Sequence, residues 1–313
     1  MNIDISIIIP FLNERENLAD LVAVLSGHCA KNKTLVHEII FVDDGSSDGS
    51  FDLLRSLPHN NYRPKLIRFS KNYGSHAALR AGILHAEGKT ITFYYADMQD
   101  PPEVISQMQE RMNGGNDIVW ATREKTEVGF RERTFSKAYA SLMRRYAIAD
   151  FPESGFDVVM FNKKIQQQLN NNIESNSSLF LQILNLGFKQ DSISYHRQQR
   201  KKGRSKWTPA KKIKLFVDSF VAFSYAPIRF VTVAGFLFFV LGMIWTIYII
   251  LRKFLVGDLV SGWPALVSIL MVGFGITNIS LGIIAEYLWR TLDASRKRPT
   301  FVIDELISLT DAK

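Results

Sequence analysis

Phe93-Tyr94-Tyr95-Ala96-Asp97-Met98-Gln99-Asp100-Pro101-Pro102-Glu103 carries an apolar run into two prolines and sets Asp97, Gln99, Asp100 and Glu103 within seven residues. Thr90–Tyr94 reads as a β-strand. Proline has no N–H for a ladder, so Pro101-Pro102 marks the strand's end. The polar cluster therefore stands at a strand's carboxyl end, where ligands bind in open α/β sheets. Carboxylate and amide oxygens there suit a hard divalent cation such as Mg²⁺ or Mn²⁺, which can bridge phosphates.

The sequence around this stretch alternates strand and helix patterns. Ile5–Ile9 is a β-branched run ended by Pro10, and Asn13 can cap a helix from Glu14 to Ala30. Glu38–Val42 is a second strand. It breaks into Asp43-Asp44-Gly45-Ser46-Ser47-Asp48-Gly49, a polar turn, before a helix over Ser50–Leu57. Lys65–Phe69 is a third strand, followed by Lys71-Asn72-Tyr73-Gly74 and a helix over His76–His85. A helix over Glu103–Met112 and a strand over Asp117–Ala121 follow. This is the pattern of a mostly parallel sheet. Farther on, Phe135–Ala147 reads as helix, Asp157–Phe161 as strand, Ser178–Leu186 as helix ended by Gly187, and Ser192–His196 as strand.

Beyond residue 228 the composition changes. Phe230–Leu251 and Pro264–Ala285 are each 22 residues without a charge, enough to cross a hydrocarbon core at roughly 20 residues per span. The short connection between them makes a hairpin. Lys and Arg are heavier on the outer flanks, before the first span and at Arg290, Arg296, Lys297 and Arg298, so both termini are expected in the cytoplasm. Thr208-Pro209 opens a helix with Ile213, Phe216, Val217, Phe220 and Val221 on one face, as for an interfacial amphipathic helix; packing on its own domain is the alternative. The net charge of +8 concentrates in the block from Lys189 to Lys214. Such a block can meet nucleic acid, but beside an apolar span it reads as facing lipid, and no nucleic-acid partner is expected. The lone Cys29 excludes an intramolecular disulfide. Gly273, Gly275 and Gly282 suit close helix contact, within the hairpin or between protomers. The expected domains are a cytoplasmic catalytic domain over 1–207, an interfacial helix over 208–227, two transmembrane helices within 228–289, and a cytoplasmic tail over 290–313.

Pro10-Phe11-Leu12-Asn13-Glu14, the Asp43–Gly49 turn and the Ala96–Glu103 segment would line one crevice. Together with Gly203-Arg204-Ser205-Lys206-Trp207 and the two-span tail, they resemble the inverting family 2 glycosyltransferases of GT-A fold. The closer resemblance is to the polyprenyl-phosphate enzymes, which include bactoprenol glucosyltransferases and dolichol-phosphate mannose synthases. It covers nearly the whole chain. It implies a Rossmann-like, mostly parallel α/β domain, then an interfacial helix and a membrane hairpin.

The resemblance implies roles by position. Pro10, Asn13 and Glu14 would border the nucleotide base. Asp44, with Asp43 nearby, would hold the uracil or ribose, flanked by Lys71, Asn72, Gly74 and Ala96. Asp97 and Gln99 would hold the metal, and Arg123 would face a phosphate. Arg131, Arg133 and Ser136 resemble positions that grip the lipid phosphate. Asp157 matches an acidic position in the acceptor region, and Arg200, Lys202, Ser205 and Lys206 would lie over phosphates. In one departure, Tyr95 stands where the family has the first Asp of Asp-x-Asp. Metal binding is expected to survive through Asp97 and Gln99.

The implied reaction is inverting, metal-dependent transfer from a nucleotide sugar, foremost UDP-glucose or another UDP-hexose, to undecaprenyl phosphate at the bacterial inner membrane. The lipid-linked sugar would serve O-antigen, lipid A or another envelope glycan, including lipopolysaccharide. Implied partners are a small flippase, a downstream glycosyltransferase and further copies of this chain. The competing readings are a polysaccharide synthase, for which two spans are too few to form a secretion channel, and a catalytically impaired scaffold or flippase partner, motivated by Tyr95.

Overall fold

In the computed structural model, β1 (Ile5–Phe11), β2 (His37–Asp43), β3 (Arg63–Phe69), β4 (Thr90–Phe93), β5 (Ile118–Arg123) and β7 (Gln190–Tyr195) all run the same way; β6 (Val158–Asn162) and β8 (Ile303–Ser308) run against them. The sheet order is β7-β5-β6-β4-β1-β2-β3-β8. The structure describes residues 2–123, 140–141, 143–145, 148, 158–172, 178–196, 198, 226–256, 262–296 and 298–309. The interfacial helix expected over 208–227 lies almost wholly outside them, as does most of the helix expected over Phe135–Ala147.

The chain divides into two units: residues 1–219 with 299–313, and residues 220–298. In the first, α1 (Arg15–Lys31), α2 (Ser50–Ser56), α3 (Ser75–His85) and α4 (Glu103–Asn113) join the parallel strands, while α5 (Lys163–Asn171) and α6 (Leu179–Asn185) lie between β6 and β7. β1 and β2 are buried along their whole length, which is why they read as continuous apolar runs rather than alternating ones. α3 lies so close to the sheet that a Cβ on Gly82 would stand 2.2 Å from the Ile8 side chain.

Two local expectations are corrected, and two elements are added. Pro10 does not end β1; it pairs in register with Val42, and the strand runs on to Phe11. This is tolerated because pairing to β4 stops at Ile8, so the missing N–H falls beyond that ladder. Asn13 does not cap α1. It sits at φ 51, Glu14 takes the cap position without a side-chain bond, and the Asn13 side chain bonds across to the next loop. The tail carries an element the sequence reading left out, β8, which extends the sheet antiparallel to β3. The helix α5, capped by the Asn162 side chain accepting from Lys164 and Ile165 N–H, was also left out.

The second unit holds α7 (Ala226–Val256) and α8 (Trp263–Ser295), which contact each other. Among the described residues one helical segment, Val272–Asp293, is long and apolar enough to cross a membrane; Arg229–Trp245 is a shorter apolar stretch. Phe230, Phe236, Phe254, Phe274 and Leu288 are all exposed. A Cβ on Gly273, Gly275 or Gly282 would meet nothing within 4 Å. Among the described residues, therefore, no close contact is made at these glycines.

Candidate active site

Every parallel strand delivers its carboxyl end to one edge of the sheet, so the loops after β1, β2, β3 and β4 meet there. The first two are clasped together. Asn13 N–H donates to Ser46 Oγ (2.8 Å), and Ser47 N–H donates to Asn13 Oδ1 (2.9 Å). Glu14 N–H donates to Ser50 Oγ (3.2 Å), and the Glu14 carboxylate accepts from Asn17 Nδ2 (2.7 Å). Arg15 Nη1 donates to the carbonyls of Asp48 and Gly49, both at 3.2 Å. Asn13 and Glu14 thus shape the rim, with Pro10 buried below.

Asp43 and Asp44 divide their roles. Asp44 accepts from Tyr73 N–H (2.7 Å) and Gly74 N–H (2.9 Å), and so fastens the Lys71–Gly74 loop. Gly45 lets that loop close in: at φ 77, a Cβ there would stand 2.6 Å from the Lys71 carbonyl carbon. Asp43 is fully buried, and its Oδ1 accepts from Ser46 N–H (2.8 Å). Its Oδ2 has no hydrogen-bond partner among the described residues. Burial pushes both carboxyls above their ordinary range; the Ser46 hydrogen bonds resist this at Asp43, and the Tyr73 and Gly74 amides resist it at Asp44. A buried carboxylate oxygen without a donor costs free energy unless something supplies one. Lys71 and Asn72 are exposed beside it, with Lys71 Nζ 5.1 Å from the Tyr73 ring centroid.

The loop after β4 sorts its polar groups by direction. Tyr94 OH donates to the Asp100 carbonyl (2.9 Å), and Tyr195 OH donates to Asp100 Oδ1 (2.5 Å). Asp100, 3% exposed, is therefore a structural pin. Glu103 is exposed in the first turn of α4, where a negative charge suits the helix dipole. Tyr95 is half-buried and packs against the core. Ala96 is buried. Asp97 and Gln99 are left half-buried at the edge. Gln99 N–H donates to Asp97 Oδ1 (3.3 Å), while Gln99 Nε2 is turned to the Gln198 carbonyl (3.4 Å). Gln198 N–H returns a bond to the Gln99 carbonyl (2.8 Å), so the segment after β7 flanks this loop.

The described residues contain no group of three or more His, Cys, Asp or Glu that could hold a metal. Asp97 supplies one carboxylate and Gln99 one amide oxygen, both hard donors. Such a pair fits a divalent ion whose other ligands are water and substrate phosphates, the usual manner of Mg²⁺. Arg123 stands exposed at the carboxyl end of β5, in register with Tyr195. Arg131, Arg133, Ser136, Asp157, Arg200, Lys202, Ser205 and Lys206 lie outside the described residues. The sequence reading gave no role to Arg15, Tyr195 or Gln198. Nothing local in the sequence marks the last two, because their partners lie about a hundred residues away.

The sequence pattern of glycosyl transferase family 2 matches residues 6–231. The chain belongs to that family. As a family 2 member it is a glycosyltransferase, built on a mostly parallel α/β domain. It is similar to the uncharacterized glycosyltransferase YkcC of Bacillus subtilis (31% identity, covering 97% of this chain and 94% of the relative). It is similar, too, to the prophage bactoprenol glucosyl transferase homolog of Escherichia coli (30%; 96% and 98%). The undecaprenyl-phosphate 4-deoxy-4-formamido-L-arabinose transferase of Pseudomonas fluorescens is 29% identical, over 97% of this chain and 89% of its own.

Proposed function

We propose that this family 2 glycosyltransferase moves a hexose from a nucleoside diphosphate, foremost UDP-glucose, to undecaprenyl phosphate, with inversion. The observation that carries the reading is one edge where the unpartnered buried oxygen of Asp43 shares the strand ends with Asp97 and Gln99. Asp44, with Asp43 buried just beneath it, would hold the uracil or ribose beside the Lys71–Gly74 loop. Asp97 and Gln99 would hold Mg²⁺ or Mn²⁺, which neutralises diphosphate charge when bound. The names of the relatives in E. coli and P. fluorescens support a polyprenyl phosphate acceptor.

The acceptor's chemistry asks little of a general base. A phosphate monoester has a second pKa of about 6, so its oxygen is already anionic at cytoplasmic pH. That oxygen forms a bond to the anomeric carbon as the bond from that carbon to the donor phosphate oxygen breaks. The nucleoside diphosphate leaves, and the configuration inverts. The protein must bring two anionic phosphates together, a task for positioned positive charge. Arg123 at the edge, with Arg131, Arg133, Ser136, Arg200, Lys202, Ser205 and Lys206, is assigned to it, and Asp157 to positioning the acceptor.

The exposed apolar surfaces of α7 and α8 support a membrane hairpin, and the heavier Lys and Arg on its outer flanks support both termini in the cytoplasm. α8 is 33 residues long, about 50 Å at 1.5 Å per residue, enough to span the bilayer and project beyond it. The lipid-linked product would serve an envelope glycan after flipping, with copies of this chain, a flippase and a downstream transferase as partners.

The test is transfer of radiolabelled sugar from a panel of UDP- and GDP-sugars to undecaprenyl phosphate in membranes. The expected result is one labelled lipid, abolished by EDTA and reduced about a thousandfold by Asp97→Ala. No product from any donor, with the native chain folded and inserted, would overturn the reading and favour a scaffold in which Tyr95 replaces a ligand by a packing side chain.

A further inference from the structure

The Lys71–Gly74 loop is held on one side by Asp44. Its other side is held by residues from the far end of the chain. Phe301 stacks on Phe69, with ring centroids 5.2 Å apart and planes 13° from parallel. Phe69 meets Tyr73 edge-on, at 5.7 Å and 86°. Ser70 N–H donates to the Val302 carbonyl (3.1 Å). The register of β3 with β8 slips between Arg68 and Phe69, where the strand turns into the loop. Phe69 is 1% exposed and Phe301 half-buried, so the stack reaches from the surface into the interior. Phe301, Phe69, Tyr73 and Lys71 thus form a continuous line from the C-terminal segment to the loop.

The rest of β8 does a different job. Ile307 packs against the main core, opposite Leu66, and Leu309 N–H donates to the Pro64 carbonyl (3.2 Å). These contacts fix the strand at the opposite end of β3 from the loop. Phe301 and Val302 are therefore separable from the anchoring of the strand.

We infer that Phe301 is a positioning residue for the donor-binding loop. By bracing Phe69 and Tyr73 it holds the Tyr73 and Gly74 amides on Asp44 before donor arrives. A loop ordered in advance loses less freedom on binding, so the effect falls on donor affinity rather than on turnover. The assignment of donor to this loop rests on the function proposed above; the bracing itself does not.

The experiment uses the full chain in detergent micelles or nanodiscs, native and as Phe301→Ala, Phe301→Tyr and Ile307→Ala. Amide hydrogen exchange over residues 70–75 is read first, since it needs no donor. Phe301→Ala is expected to speed exchange there about tenfold, Phe301→Tyr to restore the native rate, and Ile307→Ala to lower thermal stability while leaving 70–75 unchanged. Equal exchange in native protein and Phe301→Ala, or equal acceleration by Ile307→Ala, would overturn the inference. In transfer assays Phe301→Ala is expected to raise the KM for the nucleotide sugar about five- to tenfold with kcat within twofold. A fall in kcat at unchanged KM overturns the donor part. If the native chain transfers from no donor, the proposed function fails, while the exchange rates still decide whether Phe301 braces the loop.

Discussion

The two edges of the parallel sheet both bury carboxylates, and they treat them differently. At the amino edge, Glu38 Oε1 pairs with Lys65 Nζ (2.9 Å), while Oε2 accepts from Ser6 Oγ (2.5 Å) and Glu87 N–H (3.0 Å). Lys65 also reaches Glu87 (2.8 Å) and the His85 carbonyl (2.9 Å). Burial works against the Lys65 charge, yet the hydrogen bonds it donates to Glu87 and Glu38 outweigh it and hold its pKa above the ordinary lysine value. At the carboxyl edge, Asp43 is as deeply buried and keeps an oxygen without a donor. The difference teaches how to tell structure from site. A buried charge whose oxygens are all met by the chain serves the fold; one without a donor among the described residues is the place to look for a bound group. The amino edge has one exception, His37, whose two ring nitrogens lack partners among the described residues. Burial holds its pKa below the ordinary value, so it carries no unpaired charge.

The sharpest way to break this contrast is Glu38→Ala. It strands Lys65 with a largely exposed Glu87 and is expected to cost about 3 kcal/mol in urea unfolding. Transfer per folded molecule should stay at the native level. A loss below about 1 kcal/mol, or a matching loss of activity, would erase the distinction between the edges.

His76, beside the loop after β3, gives a smaller effect that depends on pH. Its Nδ1 is buried without a hydrogen-bond partner among the described residues, and its ring stands edge-on to Phe180. Burial, helped by the Arg80 charge, pushes its pKa down to about 4. A histidine depressed in the folded state stabilises fully above about 6.5 and loses that contribution as pH falls toward 4. His28 and His37 have the same sign, again from burial; Asp43 and Asp44, with raised values, oppose them. Comparing His76→Phe with native protein isolates the one group. The difference in stability should be flat above pH 6.5 and grow in favour of the variant by about 2 kcal/mol at pH 5. A pH-independent difference would mean that His76 does not titrate as its surroundings dictate.

The smallest stability effect, and the most telling, belongs to Asp43→Asn. Removing an uncompensated buried charge should leave the unfolding midpoint unchanged or slightly raised. The KM for the nucleotide sugar should rise about tenfold, the loss of about 1.4 kcal/mol from one hydrogen bond to a charged group. Destabilisation beyond about 2 kcal/mol would move Asp43 into the same structural class as Glu38.

Local signals made much of this legible. β-branched runs and the glycines in the turn after β2 act within a few residues, so most strands and the site loops could be placed in advance, although β4 ends at Phe93, well before Pro101. Pro10 and Asn13 were misjudged because their outcome depended on neighbours: the length of the ladder to β4, and Ser46 and Ser47 across the rim. The apolar character of α7 and α8 was equally plain, since it needs only composition.

The sequence by itself determined that strands and helices alternate, that carboxylates gather at the strand ends, and that two long apolar helices follow. Those properties are additive over short windows. Tertiary structure alone decided which carboxylates the chain's own donors hold. Asp100 is held by Tyr195, Asp44 by the Tyr73 and Gly74 amides, and Asp43 by Ser46 through one oxygen, the other having no partner among the described residues. It also decided that the C-terminal residues return to the sheet and brace the Lys71–Gly74 loop. The physical reason is that a hydrogen bond or a ring stack needs both partners in place, and here the partners come from opposite ends of the chain.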